Sequence, residues 1–204
     1  MDKETAEENG LVLASEEQSK RSKKVYYSAL AYLYQRHIEL AALLDIVGDP
    51  IYITSSSPVR AGAFYNHETN DAALLINTNL FETQTDSEAA GVLAHEALHF
   101  YLGHHKFHCT NETLDQLFGI AADAVINDRI RSHGIPLPES AIHGENLIGK
   151  DCRSFSVEDV LEVLLARIGY IDYDHQEVAD KLTPRYKQLD SLIPMAAAVE
   201  VIQI

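Results

Sequence analysis

The order of apolar and polar positions along the chain predicts a long helix followed by short strands. Apolar side chains recur at helical spacing from Val25 up to the breakers Gly48 and Pro50, which predicts one long amphipathic helix. The next segments, IYITSS and AGAFYNHETNDAALLINTNLF, are rich in β-branched and aromatic residues and are bounded by Asn, Asp and Gly, as short strands are. We therefore expect a small sheet after the first helix.

Capping residues predict three helices in the second half of the chain. Asp86 or Ser87 can cap a helix that ends at Gly103, a residue type suited to the left-handed C-terminal position. Asn111 can cap the next helix, and the sequence SVED from Ser156 has the pattern of a capping box. Helices around a small sheet predict an α+β fold.

Length and composition predict one acidic domain. The 204 residues suit a single domain with a real core, which we assign to residues 21–204. Residues 1–20 are charged and lack apolar periodicity, so they are expected to form a flexible arm. With 16 Lys and Arg against 31 Asp and Glu, the net charge of -15 would repel nucleic acid and anionic lipid. Neither is an expected partner.

The cellular compartment is predicted from targeting and membrane signals that the sequence lacks. The first residues have no basic-then-apolar order of a secretory signal, and no apolar run approaches the roughly 20 residues that span a bilayer. The 2 cysteines do not form a disulfide framework and fit a reducing compartment. We therefore expect a cytoplasmic protein without a membrane segment. Its oligomeric state does not follow from the sequence.

The stretch VLAHEALHFYLGHHKFHCT contains the HExxH motif, formed by His95, Glu96 and His99. Two histidines four residues apart on a helix are about 40° apart in projection, so both imidazoles can reach one ion. A zinc ion in such a site retains a water whose pKa it lowers toward about 7, and the adjacent glutamate takes the proton of that water. The motif predicts metal-assisted hydrolysis with Glu96 as the general base.

A third zinc ligand is required, and Asp123 is the best-supported candidate. In the run LFGIAADAVI it is the only charged residue, and a carboxylate in an apolar run is costly to bury unless it is paired or binds a metal. Asn127 follows one turn later and could hydrogen-bond to the ligands.

Two histidines are alternative third ligands. His105 has the spacing of the third histidine in the metzincin pattern HExxHxxGxxH, but that pattern needs glycine where Leu102 stands. His104 would need a bend after Gly103 to reach the same ion. His104 and His105 therefore remain candidates for the third ligand, together with Asp123.

A further residue could polarise the carbonyl of a substrate. The sequence does not distinguish among Tyr101 and the scattered histidines, His37, His67, His133, His143 and His175.

The segments LLINTNLFE, VLAHEALHFYLGHH, AADAVIND, HGIPLP and SFSVEDVLEVL resemble a metallopeptidase domain that precedes a von Willebrand factor A-like domain in many bacterial proteins. The resemblance covers roughly residues 25–165. It implies a site formed by His95, Glu96, His99 and Asp123, and a more distant similarity to the gluzincin arrangement, in which a second helix supplies an acidic ligand.

Together these features predict a zincin-like domain. We expect a small mixed sheet, an HExxH helix and a second ligand-bearing helix, with ALLINTNL as an edge strand that can pair with an extended substrate. The predicted function is zinc-dependent hydrolysis of peptide bonds in a peptide or protein substrate. The alternative function is an inactive, zinc-stabilised module that binds a protein partner.

Overall fold

The computed structural model describes residues 12–56, 59–66, 71–107 and 111–168. These residues form seven α-helices and one three-stranded sheet, so the fold is α+β as predicted. The helices are α1 (Glu16–Arg36), α2 (Ile38–Val47), α3 (Thr78–Phe81), α4 (Asp86–Leu102), α5 (Glu112–Ser132), α6 (Gly144–Ile148) and α7 (Val157–Arg167). The strands are β1 (Ile51–Ile53), β2 (Ala61–Asn66) and β3 (Asp71–Asn77), and a 3-10 turn spans His104–Lys106.

The chain divides into two compact units. Of the described residues, the first unit takes in those up to Tyr101 together with Ile130–Ser140, and the second takes in those of Leu102–Arg129 and those from Ala141 to Ile168. The assignment of residues 21–204 to a single domain is not tested by this division and stays a prediction.

Helix α1 begins inside the segment that the sequence assigned to a flexible arm. The side chains of Ser15 and Gln18 form a capping box, in which Ser15 N–H donates to Gln18 Oε1 at 3.0 Å. Earlier residues of the arm also have regular partners, because Ala14 N–H donates to the Tyr52 carbonyl at 3.0 Å and Thr54 N–H to the Val12 carbonyl at 2.9 Å. The arm's first 11 residues lie outside the described part of the chain.

The single long helix that was predicted up to Gly48 is wrong, because the chain breaks at His37. Its φ of -144° and ψ of 60° leave the helical region. The His37 N–H closes α1 by donating to the Leu33 carbonyl at 2.6 Å, and the His37 carbonyl accepts from Leu40 N–H at 3.0 Å at the start of α2. The break lets α2 pack against α1, where the Tyr34 hydroxyl donates to the Asp45 carboxylate.

The sheet has the order β1-β3-β2, with β1 parallel and β2 antiparallel to β3. This confirms a small mixed sheet. The prediction that ALLINTNL forms an edge strand is wrong, because its first five residues belong to β3, which has a partner on each side, and its last three belong to α3. Leu74 and Ile76 point to the same face of β3 and are at most 1% exposed, so this face of the strand is buried.

Helix α4 carries the HExxH motif. Its N-terminal cap is Thr85 rather than the predicted Asp86 or Ser87, since Glu88 N–H donates to Thr85 Oγ1 at 3.2 Å and Thr85 N–H donates to Glu88 Oε2 at 3.1 Å. The helix ends as predicted at Gly103, whose φ of 75° lies in the left-handed region that glycine tolerates.

The second unit is built around α5 and α7. The predicted caps of both helices are confirmed, because Leu114 N–H donates to Asn111 Oδ1 at 3.1 Å and Ser156 forms a capping box with Asp159. Many buried apolar residues of this unit form a core cluster, which comprises Phe118, Ala121, Ala122, Val125, Ile148, Cys152, Val157, Val160, Leu161, Leu164 and Leu165. Among the described residues, no helix is both long enough and apolar enough to span a lipid bilayer.

Candidate metal centre

His95 and His99 lie one turn apart on α4, and their side chains meet. The two Nε2 atoms are 2.8 Å apart, and the ring centroids are 4.5 Å apart with an angle of 56° between the planes. Both residues are only partly buried. The helical spacing thus brings two imidazole nitrogens to one point, as the sequence predicted.

Asp123 on α5 completes a group of three possible metal ligands. One ligand atom from each of His95, His99 and Asp123 lies within 4.8 Å of the other two. Two imidazole nitrogens and a carboxylate oxygen form a donor set that suits divalent metals such as zinc. Among the described residues these side chains therefore form a possible metal site.

Glu96 follows His95 on the same helix and is buried, with 7% of its surface exposed. At 3.6 residues per turn, its side chain projects about 60° from that of His99 and about 100° from that of His95. A carboxylate in this place lies beside the pair of imidazoles and not on the far side of the helix.

Tyr101 projects in a different direction from the histidine pair. It follows His99 by two positions, so its side chain points about 140° away from the mean direction of His95 and His99. The helix geometry thus gives no support to Tyr101 as the residue that polarises a substrate.

His104 and His105, the alternative third ligands, lie in the 3-10 turn after α4. His104 is 5% exposed, and its ring packs edge-on against Phe118 with the centroids 5.6 Å apart. Within the described part of the chain, neither histidine belongs to the group that could hold a metal.

Asn127, proposed to hydrogen-bond to the ligands, is 4% exposed on α5. Its Nδ2 donates to the Ile142 carbonyl at 2.9 Å. One function of Asn127 is therefore to fix the loop before α6 to α5, and its effect on Asp123 stays a prediction.

Asp128 is a buried carboxylate that the sequence reasoning missed. Its side chain is 0% exposed, and Oδ1 lies 2.8 Å from Nδ1 of His143. Oδ2 accepts from the backbone N–H groups of Gly144 at 3.1 Å and Cys152 at 2.7 Å. Asp128 precedes Arg129 in the sequence, and two adjacent charged residues are typical of the exposed side of a helix. No neighbouring residue in the sequence therefore indicates that Asp128 is buried.

Gly144 allows the Asp128 carboxylate and the Cys152 thiol to lie close to the start of α6. A Cβ atom at this position would lie 2.2 Å from Cys152 Sγ, 2.4 Å from the Lys150 carbonyl oxygen and 2.8 Å from Asp128 Oδ2. Only glycine leaves room for the carboxylate and the thiol at the start of α6. Burial and the nearby charges of Asp128 and Asp151 raise the pKa of the Cys152 thiol to about 11.

Comparison with known proteins supports a metallopeptidase. No curated protein and no solved structure matches the chain significantly. A family model with the description "Putative metallopeptidase domain" matches residues 54–190. This range includes His95, Glu96, His99 and Asp123. Since the match covers more than half of the 204 residues, the chain belongs to this metallopeptidase domain family.

Proposed function

We propose that the protein is a zinc-dependent peptidase in which His95, His99 and Asp123 hold the metal and Glu96 is the general base. The observation that supports this most strongly is the grouping of the three ligand atoms within 4.8 Å. The match to a metallopeptidase domain family supports this class of reaction.

The ligand set fits zinc in number and kind. Catalytic zinc sites have three protein ligands of the histidine and carboxylate type, with a position left for water. The two Nε2 atoms lie 2.8 Å apart, so both imidazoles would face one ion. Each histidine would bind the metal through an unprotonated Nε2.

Bound zinc would supply a water of lowered pKa and polarise the substrate carbonyl. Glu96 would accept a proton from that water during its attack on the carbonyl, and would then deliver the proton to the leaving amine. Its burial favours this role, because a carboxylate with 7% exposure is shielded from bulk water and its interactions are strengthened. We also propose that the domain that carries this site has a zincin-like fold.

Glu96→Gln tests the proposal. The amide keeps the shape of the side chain but cannot accept the proton, so peptide cleavage should fall by about 100- to 10,000-fold while zinc content is unchanged. The matched control is Glu162→Gln, which makes the same chemical change at an exposed position of α7. Cleavage is followed by mass spectrometry on a peptide mixture.

The same experiment separates the peptidase from the inactive binding module. Both functions require the metal, so zinc content alone does not distinguish them. Cleavage by the parent that is lost in Glu96→Gln supports the peptidase. Cleavage that is equal in the parent and in Glu96→Gln would show that Glu96 is not the base, and zinc binding without any cleavage would favour the binding module.

A further inference from the structure

One face of α4 leads from its N-terminus to the candidate metal ligands. Glu88, Gly91, His95 and His99 follow one another at intervals of three, four and four residues, so they share this face. What lies against Gly91 therefore lies one turn from His95.

The segment Pro136–Ser140, here called the strap, crosses α4 at Gly91. A Cβ atom at Gly91 would lie 1.9 Å from the Pro136 carbonyl oxygen and 3.2 Å from Leu137 Cδ2. Glycine is disfavoured in the interior of a helix, and the sequence gives it no evident role there. The close approach of the strap explains why a glycine is found at position 91.

The other end of the strap is hydrogen-bonded to Arg60, the residue before β2. Arg60 Nη1 donates to Ser140 Oγ at 2.9 Å, and the Arg60 carbonyl accepts from the N–H of Asn77 in β3 at 2.9 Å. Arg60 also lies near α4, because its charge helps the hydrogen bonds from Thr85 to lower the pKa of Glu88. The strap is thus held at Gly91 and at Arg60.

Leu137 is the strap residue whose side chain lies against the turn of α4 that contains Gly91. Side chains on a helix lean toward its N-terminus, so the imidazole of His95 extends over the turn that contains Gly91. The Leu137 side chain contacts that turn and remains partly exposed. Its exposed surface is therefore apolar and lies at the face of α4 that also carries His95 and His99.

We propose that Leu137 is a specificity-determining residue, which contacts the substrate side chain next to the scissile bond and selects an apolar one. The proposal rests on the proposed peptidase function, since it places the subsite beside the metal ligands. It assigns to the strap a role in substrate choice in addition to its packing on α4.

The test uses two small metal-binding probes, L-leucine hydroxamate and glycine hydroxamate, which differ only in the side chain. Calorimetry of the zinc-loaded protein should show that the leucine compound binds roughly 10-fold more tightly, as one apolar contact typically gives. In Leu137→Ala this preference should fall to near unity. Leu114→Ala is the matched control, because Leu114 is also partly buried but packs against the core of the second unit.

Cleavage of a peptide mixture provides the second measurement. The parent should cut beside apolar residues, and Leu137→Ala should broaden this choice without losing zinc. A preference for the leucine hydroxamate that persists in Leu137→Ala overturns the proposal, as does a chain that binds no zinc. Because calorimetry needs no turnover, loss of the peptidase function and loss of the subsite are distinguishable results.

Discussion

Replacement of Asp128 by asparagine probes the buried carboxylate of α5. In the parent protein this side chain is 0% exposed and faces Nδ1 of His143 at 2.8 Å. It also accepts hydrogen bonds from the backbone N–H groups of Gly144 at 3.1 Å and Cys152 at 2.7 Å. Asparagine has the same shape but only one acceptor oxygen, so its amide group must face a donor or force His143 into its other tautomer.

The free energy of unfolding should fall by about 2–4 kcal/mol in Asp128→Asn. Hydrogen bonds to a charged group contribute about 1.5–3 kcal/mol each, and the substitution weakens all three because it removes the charge, and it also either breaks one of them or forces His143 into its other tautomer. Asp128→Ala should cost about 3–5 kcal/mol, because the donors around it lose their partner altogether.

Urea unfolding in the presence of a chelator measures this loss without a contribution from bound metal. For an m value of about 2 kcal/mol/M, the midpoint should move down by about 1–2 M in Asp128→Asn. Asp49→Asn changes an exposed carboxylate and should shift the free energy of unfolding by less than about 0.5 kcal/mol. An Asp128→Asn protein as stable as this control would refute the reasoning.

Three other predictions follow from the structure. Gly91→Ala should lower the free energy of unfolding by about 1–3 kcal/mol despite the better helix propensity of alanine, because the Cβ would lie 1.9 Å from the Pro136 carbonyl oxygen; an unchanged urea midpoint would contradict it. The thiol of Cys152 has its pKa raised to about 11, so the folded state keeps the proton longer than the unfolded chain, and stability should decline more steeply from about pH 9 to pH 11 in the parent than in Cys152→Ser. Asp123→Ala should weaken zinc binding as much as loss of a ligand histidine in a chelator competition, whereas His105→Ala should leave the affinity nearly unchanged.

Local signals in the sequence were sufficient to predict the elements around the site. The HExxH spacing is a property of one helix, so His95 and His99 could be expected to meet without knowledge of the fold. The caps at Asn111 and Ser156 involve side chains within three residues of the backbone groups that they satisfy. Such contacts are set by nearby residues and can be recognised from sequence.

Features that depend on distant residues were missed. The partners of Asp128 lie 15 to 24 residues further along the chain, so nothing near it reveals its burial. The strap over Gly91 likewise approaches from residue 136. The central place of β3 depends on which strands pair with it, and its apolar run was compatible with either an edge or a centre.

The most direct test of the account is a crystal structure of the zinc-soaked protein with anomalous data recorded at the zinc edge. The account predicts one strong anomalous peak per chain, about 2.0–2.2 Å from Nε2 of His95, Nε2 of His99 and a carboxylate oxygen of Asp123. A peak that is bound by His104 or His105 while Asp123 faces away, or the absence of any peak between the two imidazoles, would contradict it.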